Sequence, residues 1–376
     1  DSVTIRNWTG ELGKDLIFKR PQLAIHEANS RAWFGQLDEA DRLLDEAKRQ
    51  LEQEAQTDET QGMFGYMAYV KGRITAMRGD FKQAIQLCID AQNSTPDSNP
   101  GLLGGIGVML GYGYFLDGDF SAAVQTLEET IRSGKNFGAI NTTIGAYCVL
   151  ARLYTIQGRL QKAFDLYQEA EQFIQRSKGD HLGAMSIVDV GFAEIHYEWN
   201  DIESARKHIS RGLDFIPQWS KADDIAMAHI LNSKIYQAQG NEAAAKKSIA
   251  QGLQIIHSSG VFPEARDVVI SADILEQLRH NDFHPINRWG RSLEVMLQSD
   301  NPYRFENELV LTTLARVMCA RNDLREGLDL LALLEAHAQT SGRDGRLIGI
   351  LCLRALALDD YGELGQALSV LERTLA

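Results

Sequence analysis

The sequence is poor in residues that interrupt helices and in the cations that nucleic acids require. Only 7 of its 376 residues are proline, so long helices meet few breaks. Lys and Arg number 38 against 51 Asp and Glu, which leaves a net charge of -13. This balance argues against a nucleic-acid surface, which needs clustered cations. No stretch approaches the roughly 18 apolar residues of a transmembrane helix, and we expect no membrane contact.

Cysteines are few and far apart. Cys88, Cys148, Cys319 and Cys352 each stand inside an apolar helical pattern. This placement predicts small buried side chains in a reducing compartment, and neither a disulfide framework nor a metal site. The chain begins with Asp-Ser and shows no charged-then-apolar leader. We therefore expect a cytoplasmic protein.

Motifs for catalysis and for cofactor binding are missing as well. The chain has no Gly-x-Ser-x-Gly nucleophile elbow and no Gly-x-x-x-x-Gly-Lys-[Ser/Thr] phosphate loop. Several glycines lie between Gly101 and Gly113, but a dinucleotide fingerprint needs a preceding strand, and these stand within a helical pattern. They indicate close helix packing, or backbone exposed to a ligand. We expect no enzyme activity, no metal and no cofactor.

What the chain does contain is a short phrase that recurs at intervals of roughly 40 residues. The phrase opens with Gly or Asn and, in most copies, ends on a small residue five places later, as in Gly158-Arg-Leu-Gln-Lys-Ala163. Its nine copies begin at Gly35, Gly79, Gly118, Gly158, Asn200, Gly240, Asn281, Asn322 and Gly362. Such a period is typical of a helical-repeat solenoid.

Apolar residues at helical spacing flank each copy, so each phrase is expected to join two helices. Gly and Asn suit the left-handed residue that ends the first helix. A second small residue stands seven places before the turn in every unit but the seventh, at Ala28, Gly72, Gly111, Ala151, Ala193, Ser233, Ala315 and Ala355. The sequence predicts an all-α fold, a right-handed superhelix (α-solenoid) of about nine tetratricopeptide-like helix pairs. Each unit is expected to contact only its neighbours.

Longer phrases point to a narrower family. They are a lead-in with Trp8, Leu12 and Leu16, the segment Leu110-Gly-Tyr-Gly-Tyr-Phe-Leu-Asp-Gly118, and Tyr197-Glu-Trp-Asn200. Together they resemble the repeat region of the MalT-like family, the large ATP-binding LuxR-type bacterial transcriptional regulators. The resemblance implies that residues 1–20 are the tail of a preceding helical linker and that residues 21–376 form the repeat superhelix. Full-length members also carry a nucleotide-binding module and a helix-turn-helix domain, but this sequence shows neither the phosphate loop of the first nor the basic segment of the second. It therefore resembles the sensor region alone.

In hairpins of the tetratricopeptide type, the first helix of each pair lines the concave face. Counting back from the turns places a mixed row of aromatic, cationic and acidic side chains on that face. These candidate ligand-binding residues are Tyr66, Tyr69, Arg73, Tyr112, Phe115, Arg152, Glu194, Tyr197 and Lys234. Aromatic surfaces beside a few charged groups are typical of a ligand groove. A solvated inner row would be polar as well, so this interpretation stays open.

Two functions fit this pattern. The first is a sensor region whose channel binds a small-molecule inducer or a regulatory protein and controls self-association of the full-length regulator. Under it, Arg73→Ala and Arg152→Ala should each abolish the response without unfolding the array. The alternative is a protein–protein interaction scaffold without a small-molecule ligand.

The seventh unit departs from the pattern. Ile274 and Ile286 replace small residues there, which predicts the weakest joint of the array and faster amide exchange over residues 275–295 than over residues 140–215. In the fifth unit, Trp199 is expected to lie in the core, packed against the next hairpin.

Overall fold

A computed structural model describes residues 20–53, 55, 57–177, 181–219, 221–280 and 305–375. Within these residues the chain forms 17 α-helices, one short 3-10 helix and no strand. The predicted all-α fold is therefore confirmed. None of the described helices is both long and apolar enough to cross a membrane.

The helices follow one another as antiparallel pairs. Units 1 to 4 are α1 (Pro21–Trp33) with α2 (Leu37–Leu51), α3 (Asp58–Met77) with α4 (Phe81–Ser94), α5 (Pro100–Asp117) with α6 (Phe120–Phe137), and α7 (Ile140–Ile156) with α8 (Leu160–Arg176). Units 5 and 6 are α9 (Leu182–Glu198) with α10 (Ile202–Trp219), and α11 (Ala222–Ala238) with α12 (Glu242–Ser258). The remaining elements are α13 (Pro263–Arg279), a 3-10 turn (Phe305–Asn307), α14 (Glu308–Ala320) with α15 (Leu324–Thr340), and α16 (Asp344–Asp360) with α17 (Leu364–Leu375).

The turn within each pair has the predicted backbone. All eight turn residues in the described part of the chain have a positive φ, between 60° at Asn200 and 91° at Gly79 and Gly362. This left-handed residue ends the first helix and directs the second helix back along it. The ninth turn residue, Asn281, lies outside the described residues, as does Ile286.

Small residues allow the two helices of a pair to pack closely. The small residue before the turn and the one after it are buried in each of the eight described pairs, as at Ala151 and Ala163. Ile274, the larger residue of the seventh unit, is buried too. Most of the predicted segment of fast exchange falls outside the described residues.

The solenoid coils back on itself, which the repeat pattern does not predict. The turns of units 2, 3 and 4 lie against the starts of units 7, 8 and 9. Gly79 faces Pro263, Gly118 faces Phe305, and Gly158 faces Gly345. Phe262 and Phe305 join the apolar core of units 2 and 3, beside Phe115. The expectation that each unit contacts only its neighbours is therefore wrong.

Two predictions about single side chains are also wrong. Cys352 is exposed on α16, whereas Cys88 is buried on α4 as expected. Trp199 is 40% exposed and packs against Phe164 of the preceding unit, with 5.1 Å between ring centroids. The indole lies beyond the end of α9, where the next hairpin does not cover it.

Candidate functional site

The concave face is divided into three parts by the way the superhelix closes. The first part belongs to units 1 and 2 and contains Tyr66, Tyr69 and Arg73 of α3. Arg73 is buried and donates a hydrogen bond of 2.9 Å to the carbonyl oxygen of Asn29 and a second one to its side chain. Its guanidinium lies over the ring of Trp33, 4.5 Å from the centroid. These contacts connect the first helices of the two units.

The two tyrosines of this part pack beside each other. Their ring centroids are 6.3 Å apart, and the hydroxyl of Tyr66 lies 3.2 Å from Nδ1 of His26. Burial raises the pKa of Tyr66 to about 12. The phenol is therefore neutral at physiological pH and can act as a hydrogen-bond donor.

The second part is a contact between units 3 and 4 and the start of α13, which the coiling of the superhelix brings together. We name this contact the clasp and define it as Tyr112, Arg152 and Glu264. Tyr112 of α5 donates a hydrogen bond of 2.7 Å to Oε2 of Glu264. Arg152 of α7 donates from Nη2 to Oε1 at 2.6 Å and from Nη1 to Oε2 at 3.1 Å. Such two-pronged pairing of guanidinium and carboxylate is directional and strong.

The surroundings of the clasp favour its charged form. Burial lowers the pKa of Arg152, but Glu264, Tyr112 and Glu194 together outweigh this effect and raise the pKa above its ordinary value. The ring of Phe115 lies beneath the guanidinium at 5.9 Å and is itself fully buried. Burial, followed by the charge of Glu264, raises the pKa of Tyr112 well above its ordinary value. The clasp therefore holds a permanent cation against a carboxylate.

The third part, in units 5, 6, 8 and 9, is open to solvent at Glu198, Lys234 and Arg316. We name it the charged cluster. It consists of Glu194, Glu198, Lys234, Arg316 and Arg346. None of the five side chains forms a hydrogen bond or an ion pair with another residue of the described ranges.

Charges of both signs act on one another within this cluster. The surrounding helices lower the pKa of Lys234 by desolvation, and the nearby Arg346 and Arg316 lower it further, while Glu198 and Glu194 oppose the shift. Desolvation also raises the pKa of Glu198. Tyr197 is half-buried between units 5 and 6 and contributes an apolar wall. The cluster therefore offers unpaired cations and carboxylates side by side on the concave face.

The structure thus gives the nine predicted residues different surroundings. Tyr112, Phe115 and Arg152 meet at the clasp, Tyr66, Tyr69 and Arg73 pack within units 1 and 2, and Glu194, Tyr197 and Lys234 face the open part. Whether they bind a ligand stays a prediction. Sequence reasoning missed Glu264 and Arg346, because both lie near helix starts instead of in the row counted back from the turns.

The family to which the repeats belong is shown by their sequence. The family described as the MalT-like TPR region matches residues 65–376. The chain belongs to this family. MalT-like repeats therefore extend over units 2 to 9, and the suspected resemblance is confirmed. No curated protein matches the chain in sequence.

Solved structures show the same fold at low sequence identity. The chain is similar to NprR in complex with its cognate peptide NprX, with a TM-score of 0.55, 12% identity, and coverage of 81% of this chain and 89% of that one. It is similar to the Rap conjugation gene regulator of the plasmid pLS20 in complex with the Phr* peptide, with a TM-score of 0.53, 12% identity, and coverage of 96% and 93%. A Rap protein complexed with competence and sporulation factor has a TM-score of 0.51, 11% identity, and coverage of 94% and 96%.

Proposed function

We propose that this chain is the ligand-sensing region of a cytoplasmic, LuxR-type bacterial transcriptional regulator, and that it acts by binding and not by catalysis. Membership of the MalT-like TPR region supports the regulatory assignment. The observation that carries the sensor function is the charged cluster. Four ionisable side chains from units 5, 8 and 9 act electrostatically on Lys234 of unit 6, and all five side chains remain unpaired within the described part of the chain.

Each of these groups is at least partly exposed to solvent. A ligand with charges opposite to theirs would replace the water around them with charge-assisted hydrogen bonds, which are stronger than neutral ones. The cluster contains three cations and two carboxylates, so it favours a ligand with at least one negative group. A short peptide with both termini charged would satisfy both signs.

Structures of similar fold support a peptide ligand. NprR was solved with its cognate peptide NprX and the Rap conjugation gene regulator with the Phr* peptide, and another Rap protein was solved with competence and sporulation factor. These likenesses are at 12% identity or less, so they support the class of ligand and not its sequence. Binding would bridge units that are distant in the sequence, and in the intact regulator it would shift an equilibrium towards self-association.

A thermal-shift screen tests the proposal. Sugars, nucleotides, organic acids and short peptides are added as separate pools to the purified chain. A ligand at about 100 times its dissociation constant should stabilise the folded state by about 2.7 kcal/mol. We expect a hit among the organic acids or peptides that is lost in Lys234→Ala and in Arg316→Ala.

The control is Lys82→Ala, which removes an exposed cation of α4. It should leave the hit unchanged. A hit that persists in both Lys234→Ala and Arg316→Ala would contradict the charged cluster as the site. Silence in every pool would favour the interaction scaffold, and a stoichiometric protein captured through the same cluster would establish it.

A further inference from the structure

The clasp has the composition of a complete carboxylate-binding site. The carboxylate of Glu264 receives three hydrogen bonds, two from the guanidinium of Arg152 and one from the hydroxyl of Tyr112. Both of its oxygens are engaged, and the donors converge from two adjacent first helices. This is how proteins recognise a free carboxylate.

The two halves of the clasp come from different turns of the superhelix. Tyr112 and Arg152 each stand six places before a turn residue, in units 3 and 4. Glu264 comes 152 residues after Tyr112 and 112 residues after Arg152, from the first turn of α13. The donors Tyr112 and Arg152 therefore belong to the predicted ligand-binding residues of the concave face. The carboxylate of Glu264 reaches them from α13, which belongs to a distant unit.

A second cation, Arg346, lies close to the carboxylate of Glu264. A small cavity of about 20 Å³ is lined by both Glu264 and Arg346, together with Glu308 and four apolar side chains, one of them that of Phe305. This volume holds about one water molecule. Arg346 forms no ion pair with another described residue. If Glu264 leaves Arg152, the same cavity therefore offers it a second positive partner, which offsets the desolvation penalty of an unpaired charge.

We propose that Tyr112 and Arg152 form a carboxylate-binding site occupied by the chain's own Glu264, and that an incoming carboxylate displaces Glu264 and separates α13 from α5 and α7. The displacement would loosen the contact between the turns of units 2 to 4 and the starts of units 7 to 9. The carboxylate site stands on the geometry of the clasp alone. Its regulatory role rests on the proposed sensor function and links a ligand's carboxylate to a change of the whole superhelix.

Chemical rescue tests the site without knowledge of the natural ligand. Glu264→Ala removes the carboxylate and leaves room for acetate beside Arg152. We expect the variant to have a lower Tm and a larger radius of gyration in small-angle scattering. Sodium acetate should reverse both changes saturably, while sodium chloride at equal ionic strength should not. In Arg152→Ala/Glu264→Ala the acetate response should disappear.

Glu242→Ala is the matched control, since Glu242 is an exposed glutamate in the first turn of α12. It should change neither the radius of gyration nor the acetate response. The proposal is overturned if acetate fails to stabilise Glu264→Ala, or if it does so equally when Arg152 is absent. Because acetate is the probe, this outcome is independent of whether any pool of the ligand screen gives a hit.

A second variant keeps the test decisive if Glu264→Ala does not fold. Glu264→Gln preserves the shape of the side chain and removes its charge, so acetate competes with a neutral amide. We expect acetate to accelerate amide exchange over residues 262–270 in this variant more than in the wild type. Equal exchange with and without acetate would contradict displacement at the clasp.

Discussion

Asp223 is a buried carboxyl group at the joint between units 6 and 7. It accepts a hydrogen bond of 2.6 Å from the backbone N–H of Phe262, which precedes α13. Burial raises its pKa to about 7, and the adjacent Asp224 adds to the shift, whereas the N–H of Phe262 opposes it. The folded chain therefore binds a proton here at pH values where the unfolded chain has released it.

The pKa shift of Asp223 predicts a pH-dependent stability. A carboxyl group whose folded pKa is raised stabilises the folded state fully below its unfolded pKa, near 3.8, and loses this contribution as the pH rises to about 7. Asp223→Asn keeps an oxygen acceptor for Phe262 and cannot ionise. The unfolding free energy of the wild type should fall relative to that of Asp223→Asn, by about 4 kcal/mol at most, between pH 4 and pH 7. Denaturant unfolding at several pH values measures this difference.

Asp45→Asn supplies the reference for this experiment, because Asp45 is exposed on α2. Its unfolding free energy should follow that of the wild type at every pH. A constant difference between Asp223→Asn and the wild type would show that Asp223 does not titrate in this window. The sequence contains no signal for the shift, because Phe262, which contacts Asp223, is 39 residues away in the chain.

At the scale of single elements, the helix pairs could be predicted well from the sequence. The Gly or Asn that opens each repeated phrase specifies the left-handed residue of the turn. The small residues seven places before it and five places after it specify which faces of the two helices meet. Both are local, repeated constraints, so a single chain displays each of them many times. The glycines of α5 also follow this logic. A Cβ on Gly111 would lie 2.6 Å from the side chain of the buried Leu127, which confirms the interpretation of close helix packing.

This packing gives opposite expectations for two glycines of α5. Gly111→Ala should gain helix propensity but force Leu127 out of place, for a net loss of about 1–3 kcal/mol. Gly101→Ala, in the exposed first turn, meets no atom closer than 4.0 Å and should be neutral or stabilising by up to about 1 kcal/mol. Thermal and denaturant unfolding of the two variants would measure both effects. A stabilised Gly111→Ala would show that the helices can separate at little cost.

At the scale of the whole molecule, the contact between superhelical turns determines which concave residues remain accessible. It closes the clasp over units 3 and 4 and leaves the charged cluster open. One of these contacts joins the backbones of units 4 and 9. A Cβ on Gly345 would lie 2.7 Å from the carbonyl oxygen of Thr155 and 2.9 Å from the nitrogen of Gly158. Only a residue without a side chain fits there.

Gly345→Ala should therefore separate unit 9 from unit 4. We expect a larger radius of gyration in small-angle scattering and an unchanged helical signal in circular dichroism, because only the contact between turns is lost. Gly349→Ala lies in the same helix with no atom within 4 Å of its new Cβ, and its radius of gyration should equal that of the wild type. An equal radius of gyration in both variants would mean that units 4 and 9 do not touch in solution.

The sequence by itself determined the helix pairs, their turns, their packing faces and the family. These features depend on residues fewer than about 20 positions apart, and the repeat shows them several times over. Tertiary structure alone decided that Glu264 meets Arg152, that Asp223 is buried, and which part of the concave face stays open. Those outcomes depend on the small rotation between successive units, which adds up over the five units that separate unit 2 from unit 7. No single unit encodes the total rotation, because it depends on how every pair of neighbouring units packs.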